Sequence, residues 1–132
     1  FDPSGNLIIA DYFNHAVRKM TPANVVTTIA GNGTAGNVDG SGAAARFDRP
    51  ASLAVDNGGT VYICDANNNT IRKITAAGVV TTLAGDGNGG NSNGTASVAS
   101  FHYPLGLCAD FTNNYLFVAD YFNNSIRKIS LD

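Results

Sequence analysis

Apolar residues in this chain come in short runs that end on Asp, Asn or Gly. The pattern is clearest in "ASLAVD", "TVYICDA", "TIRKIT" and "VVTTLAG", which occupy residues 51–56, 60–66, 70–75 and 79–85. The runs are rich in β-branched and aromatic residues and too short for helices, so they predict strands. The connections "NGG", "NNN" and "AAG" are short and rich in residues that tolerate positive φ, as hairpin turns require. Read the same way, the whole chain predicts strands near residues 7–10, 16–20, 25–30, 51–55, 60–64, 70–74, 79–84, 105–109, 115–119 and 125–129. The fold class is all-β, built of four-stranded antiparallel meanders.

The pattern repeats. "DYFNHAVRKM" from Asp11 returns as "DANNNTIRKI" from Asp65 and "DYFNNSIRKI" from Asp120, at steps of 54 and 55 residues. Arg18, Arg72 and Arg127 follow the same steps, and "VVTTIAGNG" from Val25 recurs as "VVTTLAGDG" from Val79. A lone four-stranded sheet leaves both apolar faces open, so such units must stack on one another. "DPSGNLIIADYFNHAVRKMTP" followed by "VVTTIAGNGTAGNVDGSGAAARFDRP" resembles the NHL repeat, named for an Asn-His-Leu triplet, over essentially the whole chain. Asn14 and His15 keep two letters of the triplet, with Ala16 in place of Leu; the other copies read Asn68-Asn69-Thr70 and Asn123-Asn124-Ser125. The resemblance implies a β-propeller, six-bladed when complete, with about two and a half blades in this chain: blade one at 1–31, blade two at 48–86 and blade three at 102–132. On that reading the chain is a piece of a propeller, the first blade lacking its innermost strand and the last its outermost.

Composition narrows the function. All ten acidic residues are Asp, Glu and Gln do not occur, and the net charge is -2. Eight scattered Lys and Arg form no basic cluster, which argues against a nucleic-acid partner. No apolar run reaches the roughly 20 residues needed to span a bilayer. The Gly-rich segments that follow the fourth strands lack the order of a phosphate-binding loop, and "DGNGGN" from Asp86 does not match an EF-hand. Instead "GAAARF" and "TASVASF" predict one helical turn each, dropping Phe47 and Phe101 into the core.

The recurring charged residues read as structural. Asp11, Asp65 and Asp120 end the second strand, where a carboxylate can accept from the amides of the following turn. Arg18, Arg72 and Arg127 occupy one fixed point of the third strand, within reach of an Asp. Two histidines, His15 and His102, are too few for a three-ligand zinc site, and no cofactor or metal is expected. Some NHL-like propellers are lyases that use a metal held by His, but this chain carries no matching set. Cys64 and Cys108 replace Ala of the other copies, which suggests small-residue packing sites in adjacent blades and a disulfide between them. Asn32, Asn68, Asn93 and Asn123 each begin an N-x-[ST] sequon in turns and loops on one side of the meanders, as expected for a protein carrying N-linked glycan. Together these features point to a non-catalytic binding or structural module of a secreted or cell-surface protein. Its partners would be other proteins or further copies of the same chain. The alternative is part of a propeller enzyme, lyase or hydrolase in type, whose active site lies in blades not included here.

Overall fold

The computed structural model describes residues 1–132. Three antiparallel sheets follow one another along the chain. The first contains Leu7–Asp11 (β1), Ala16–Met20 (β2) and Val26–Ala30 (β3) in that order. Gly40–Ser41 (β4) then pairs with the outer edge of the middle sheet, formed by Pro50–Val55 (β5), Val61–Asp65 (β6), Thr70–Ile74 (β7) and Val79–Ala84 (β8). The third holds Pro104–Asp110 (β9), Tyr115–Asp120 (β10) and Ser125–Ser130 (β11). Strand order is β1-β2-β3, β4-β8-β7-β6-β5 and β11-β10-β9, so each sheet is a meander. β5 lies against both β1 and β9, which makes β5 and β9 the inner strands of their blades. The first sheet has no counterpart of β5, and the third none of β8. The chain folds as a partial β-propeller, and every strand predicted from sequence is present with ends shifted by at most one residue.

Blade stacking explains why the middle strands carry apolar residues at consecutive positions. All five residues of β6 are buried, because side chains alternating across a strand here meet a neighbouring sheet on either side. Val61 and Ile63 join Ile8, Val17 and Phe47 in the core between the first two blades. Tyr62 and Cys64 join Phe101, Leu116 and Val118 between the second and third. Phe47 and Phe101, 0% and 1% exposed, arrive from the loops as expected. Gly42–Ala44 forms a 3₁₀ turn before Phe47, and the amides of Val98 and Ala99 bond to the Thr95 carbonyl before Phe101.

Two features escaped the sequence pattern. The pairing of β4 with β8 is contributed by Gly and Ser, which carry no strand signal. After each second strand the chain makes a 3₁₀ turn, at Tyr12–Asn14, Ala66–Asn68 and Tyr121–Asn123. Each turn closes on a left-handed residue: His15 at φ 50°, Asn69 at φ 56° and Asn124 at φ 51°.

Glycine is required where the fourth strand leaves the sheet. At Gly85, φ +106°, an added Cβ would stand 2.6 Å from the Asn69 carbonyl oxygen, whereas at Gly33, φ +84°, it would meet nothing closer than 4.0 Å. Gly33→Ala should therefore lose about 1 kcal/mol for the backbone conformation alone. Gly85→Ala should lose at least about 2 kcal/mol, because backbone must also move. Chemical denaturation of the two variants checks the difference.

Candidate functional site

The repeated Asp and Arg meet inside the blade and grip the loop that leads into it. In the middle blade Arg72 Nη1 donates to Asp65 Oδ2 at 2.8 Å, and both side chains are fully buried. The same Nη1 donates to the Arg46 carbonyl at 3.1 Å, while Nη2 donates to the Val38 carbonyl at 3.1 Å and Asp39 Oδ1 at 2.7 Å. The guanidinium carbon stands 5.3 Å from the centre of the Phe47 ring. Asn68 completes the knot by donating from Nδ2 to Asp65 Oδ2 and to the Gly36 carbonyl, both at 2.8 Å. The third blade repeats this atom for atom: Arg127 reaches Asp120, Ser100, Ser92 and Asn93, Asn123 reaches Asp120 and Gly90, and Phe101 lies under the guanidinium at 5.1 Å. Arg18 in the first blade keeps a longer contact with Asp11, 3.4 Å, and is half-buried.

The carboxylates therefore do not serve the amides of the turn that follows them, as the sequence suggested. No side-chain cap bond forms at Asp11, Asp65 or Asp120, because those turns close on their own backbone or on the preceding loop. Asp65 Oδ1 instead accepts from the Asp48 amide at 2.7 Å, and Asp120 Oδ1 from the His102 amide at 2.7 Å. Burial pushes the Asp65 carboxyl above the ordinary carboxylate range, opposed by Asn68, the Asp48 amide and Arg72.

The sequon residues divide into two pairs. Asn68 and Asn123 commit both Nδ2 protons to the knot, Asn123 donating to the Gly90 carbonyl at 2.7 Å and Asp120 at 2.8 Å. A glycan attached at Nδ2 would replace one of those donors. Asn32 and Asn93 are exposed, and each uses its Oδ1, accepting from the Thr34 amide and from Arg127 Nη2. The cysteines also differ from expectation. Cys64 is buried and Cys108 exposed, and neither forms a disulfide. Cys64 Sγ instead faces the Gly106 carbonyl at 3.6 Å, with burial pushing its thiol well up. Cys108, two residues along β9 from that carbonyl, lies on the exposed inner strand rather than in a packed Ala-sized site.

A second constellation gathers on the side of the blades that carries the 3₁₀ turns. Arg49 and Tyr103 occupy equivalent positions just before Pro50 and Pro104, at φ 58° and φ 59°. A left-handed residue before proline is strained, and such strain persists only where neighbours hold it. Here the hold comes from the preceding blade: the Arg49 amide donates to His15 Nδ1 at 3.2 Å, and the Tyr103 amide to Asn69 Oδ1 at 2.9 Å. His Nδ1 and Asn Oδ1 are both bonded to Cγ, so the two residue types place an acceptor at the same point. This explains why the histidine of the repeat gives way to Asn without loss of the fold.

Arg49, Tyr103 and Tyr12 then converge from three blades. The Tyr12 and Tyr103 hydroxyls are hydrogen-bonded, and Arg49 Nη1 lies 3.4 Å from the Tyr103 oxygen. The contact between the hydroxyls moves their titration ranges apart, Tyr12 upward and Tyr103 downward, and Arg49 lowers Tyr103 further. Around them stand exposed rings: Phe13 is 80% exposed, with its centre 4.9 Å from that of Tyr12. Phe122 is 55% exposed and lies 5.4 Å from Tyr103 and 5.0 Å from His102, with Tyr121 beside it at 5.1 Å. Nothing in the sequence signals this cluster, although "DYFN" at 11–14 and 120–123 marks where aromatics replace the Ala66 and Asn67 of the middle copy. No group of three or more His, Cys, Asp or Glu side chains is arranged to hold a metal ion. No helix is long and apolar enough to cross a membrane.

A family profile described as the NHL repeat matches residues 47–74. Protein SUPPRESSOR OF QUENCHING 1, chloroplastic, of Arabidopsis thaliana is 38% identical over 98 residues, covering 74% of this chain and 9% of that protein. NHL repeat-containing protein 2 of Bos taurus is 35% identical over 100 residues, covering 74% of this chain and 14% of that protein. The chain thus spans a small part of the length of the curated relatives it matches. Among solved structures, an auxiliary nutrient binding protein from Bacteroides thetaiotaomicron superposes with a TM-score of 0.87 at 29% identity, over 98% of this chain and 36% of that one. Virginiamycin B lyase from Staphylococcus aureus, at 14% identity and a TM-score of 0.53 over 98% of this chain and 39% of that one, shares the fold alone.

Arg72→Met should destabilise the protein by about 3–5 kcal/mol, since it strands a buried carboxylate. Arg18→Met, at a longer and more solvated contact, should lose about 1 kcal/mol or less. His15→Asn should leave stability unchanged to within about 0.5 kcal/mol because the acceptor is preserved, whereas His15→Ala should lose about 1 kcal/mol. Urea denaturation of the four variants measures all of these differences.

Proposed function

Since the chain belongs to the NHL-repeat β-propeller family, we propose that it is a non-catalytic binding module, and that its working surface is the face on which Tyr12, Arg49 and Tyr103 converge. One observation carries this reading: three blades deliver those side chains to one place, Arg49 and Tyr103 on strained backbone, with exposed Phe13, Tyr121 and Phe122 beside them. Tyr, Phe and Arg exposed together have the composition of a protein interaction hot spot, and aromatic rings left in water gain most when a partner covers them. The partner is a protein, and the role is interaction or assembly. The description of the similar Bacteroides protein as nutrient binding supports binding rather than catalysis.

The proposed setting is outside the cell, with N-linked glycan on Asn32 or Asn93. Both have an exposed side chain, and Asn93 lies against Arg127 of β11, outward from the inner strands next to Arg49 and Tyr103. Glycans at such positions would frame the aromatic face without covering it. Mass mapping of protein from its native source should find glycan at Asn32 or Asn93 and none at Asn68 or Asn123. Unmodified Asn at both exposed positions would remove the extracellular reading.

A photo-crosslinking residue in place of Phe122 tests the face itself. In extract from the native source it should give a saturable adduct with one defined protein, which then binds the purified chain. The same residue at Ala76, in the turn at the other end of the blades, should give none. Equal labelling at both positions, or no saturable adduct at Phe122, would overturn the assignment.

A further inference from the structure

The hydrogen-bond inventory of the aromatic face says what kind of group it accepts. Tyr103 oxygen lies between the Tyr12 hydroxyl and Arg49 Nη1. One proton lies between the two phenol oxygens, so whichever tyrosine supplies it, the other hydroxyl keeps its proton free to donate outward.

Arg49 is exposed, and no carboxylate lies within ion-pair distance of its guanidinium. Asp48, its chain neighbour, is turned elsewhere: Oδ2 accepts from Asn67 Nδ2 at 2.6 Å, and Oδ1 lies 3.4 Å from His15. The corner thus offers one free phenol O–H and the unused N–H groups of Arg49, carrying one positive charge. Its complement is an acceptor-only group of single negative charge, which is an ionised carboxylate.

Apolar surface adjoins the donors. The Phe122 ring stands against Tyr103 and His102 on one side, and Phe13 against Tyr12 on the other. A ligand seated between Arg49 and Tyr103 has the Phe122 ring on the far side of Tyr103. A lone carboxylate such as acetate would satisfy the donors but leave both rings in water, whereas an acidic peptide with an apolar neighbour covers a ring as well. The backbone is prepared in advance, because His15 and Asn69 already hold the Arg49 and Tyr103 amides in their strained positions.

We propose that Tyr12, Arg49 and Tyr103 form a carboxylate-binding site that receives an acidic side chain of a peptide partner, with an apolar neighbour of that side chain resting on Phe122. This deepens the reading of the face as a protein-binding surface and rests on it. The carboxylate takes a bidentate contact from Arg49 and the free proton of the tyrosine pair, while the hydrogen bond between Tyr12 and Tyr103 positions that proton outward.

The test uses two short capped peptides, one containing adjacent Phe and Glu and the other Phe and Gln, together with sodium acetate as the bare carboxylate. Binding to the whole chain is followed by NMR chemical shifts of the tyrosine and arginine side chains. The Glu peptide should bind with a Kd of about 1 mM or tighter, and the Gln peptide at least about tenfold more weakly. Acetate should shift the same resonances at higher concentration. Arg49→Ala should abolish the distinction between Glu and Gln, and Tyr12→Phe should weaken the Glu peptide by about three- to tenfold. Both variants leave the buried cores untouched, so their folded spectra serve as the control. Equal affinity for Glu and Gln, an unaffected Arg49→Ala variant, or no binding of either peptide overturns the carboxylate assignment. If Glu and Gln bind equally and Phe122→Ala abolishes both, the carboxylate site falls and the aromatic binding face stands. If Phe122→Ala changes nothing and crosslinking at Phe122 also fails, both fall together.

Discussion

The fully buried contact between Asp65 and Arg72 is the constraint on which the middle of the molecule depends. Two charges removed from water are costly unless their hydrogen-bonding capacity is met. Here it is met by a loop with almost no regular structure of its own: Arg72 takes the carbonyls of Val38 and Arg46, and Asp65 takes the amide of Asp48. The pair therefore orders the loop, the loop seats Phe47, and Phe47 completes the core between the first two blades. The same sequence of consequences runs from Asp120 and Arg127 through Ser92 and Ser100 to Phe101. Blade stacking is hydrophobic in origin, but the path of the chain between blades is set by these charges.

The proposed binding face is a by-product of that path. Asp48 and His102, whose amides the carboxylates hold, immediately precede Arg49 and Tyr103. The knot thus fixes one side of the strained residue, and proline fixes the other by opening the inner strand. His15 and Asn69 supply the last hold from the preceding blade, so each pre-proline side chain is placed by two blades at once. A structural device shared by the second and third blades projects a variable side chain toward the same face, Arg49 in one and Tyr103 in the other. Repeated architecture and a variable surface side chain are thereby separated along three consecutive residues.

Much of this was legible in the chain, and the reasons for the rest are physical. Strand positions followed from local apolar runs, and the equivalence of Asp65 with Asp120 and of Arg72 with Arg127 followed from the repeat. The partners of those residues were hidden, because Arg72 bonds to carbonyls 26 and 34 residues away and backbone carbonyls carry no sequence signature. The sequons at Asn68 and Asn123 look the same in sequence as those at Asn32 and Asn93, yet their Nδ2 atoms are already engaged inside the fold. The expected pairing of Cys64 with Cys108 failed for a similar reason. Both replace Ala, but one side chain enters the core between blades while the other remains on the exposed face of an inner strand.

By itself the sequence determined the strands, the meander and the stacking of equivalent units, because these depend on periodicity and turn chemistry that act over a few residues. It also determined that the recurring Asp and Arg would stand within reach of each other in every copy. Only the tertiary structure decided that Tyr12, Arg49 and Tyr103 would meet. They stand in three different blades, and Tyr12 and Tyr103 are 91 positions apart. Their meeting depends on how inner strands converge when sheets stack, a relation between blades that no local pattern encodes.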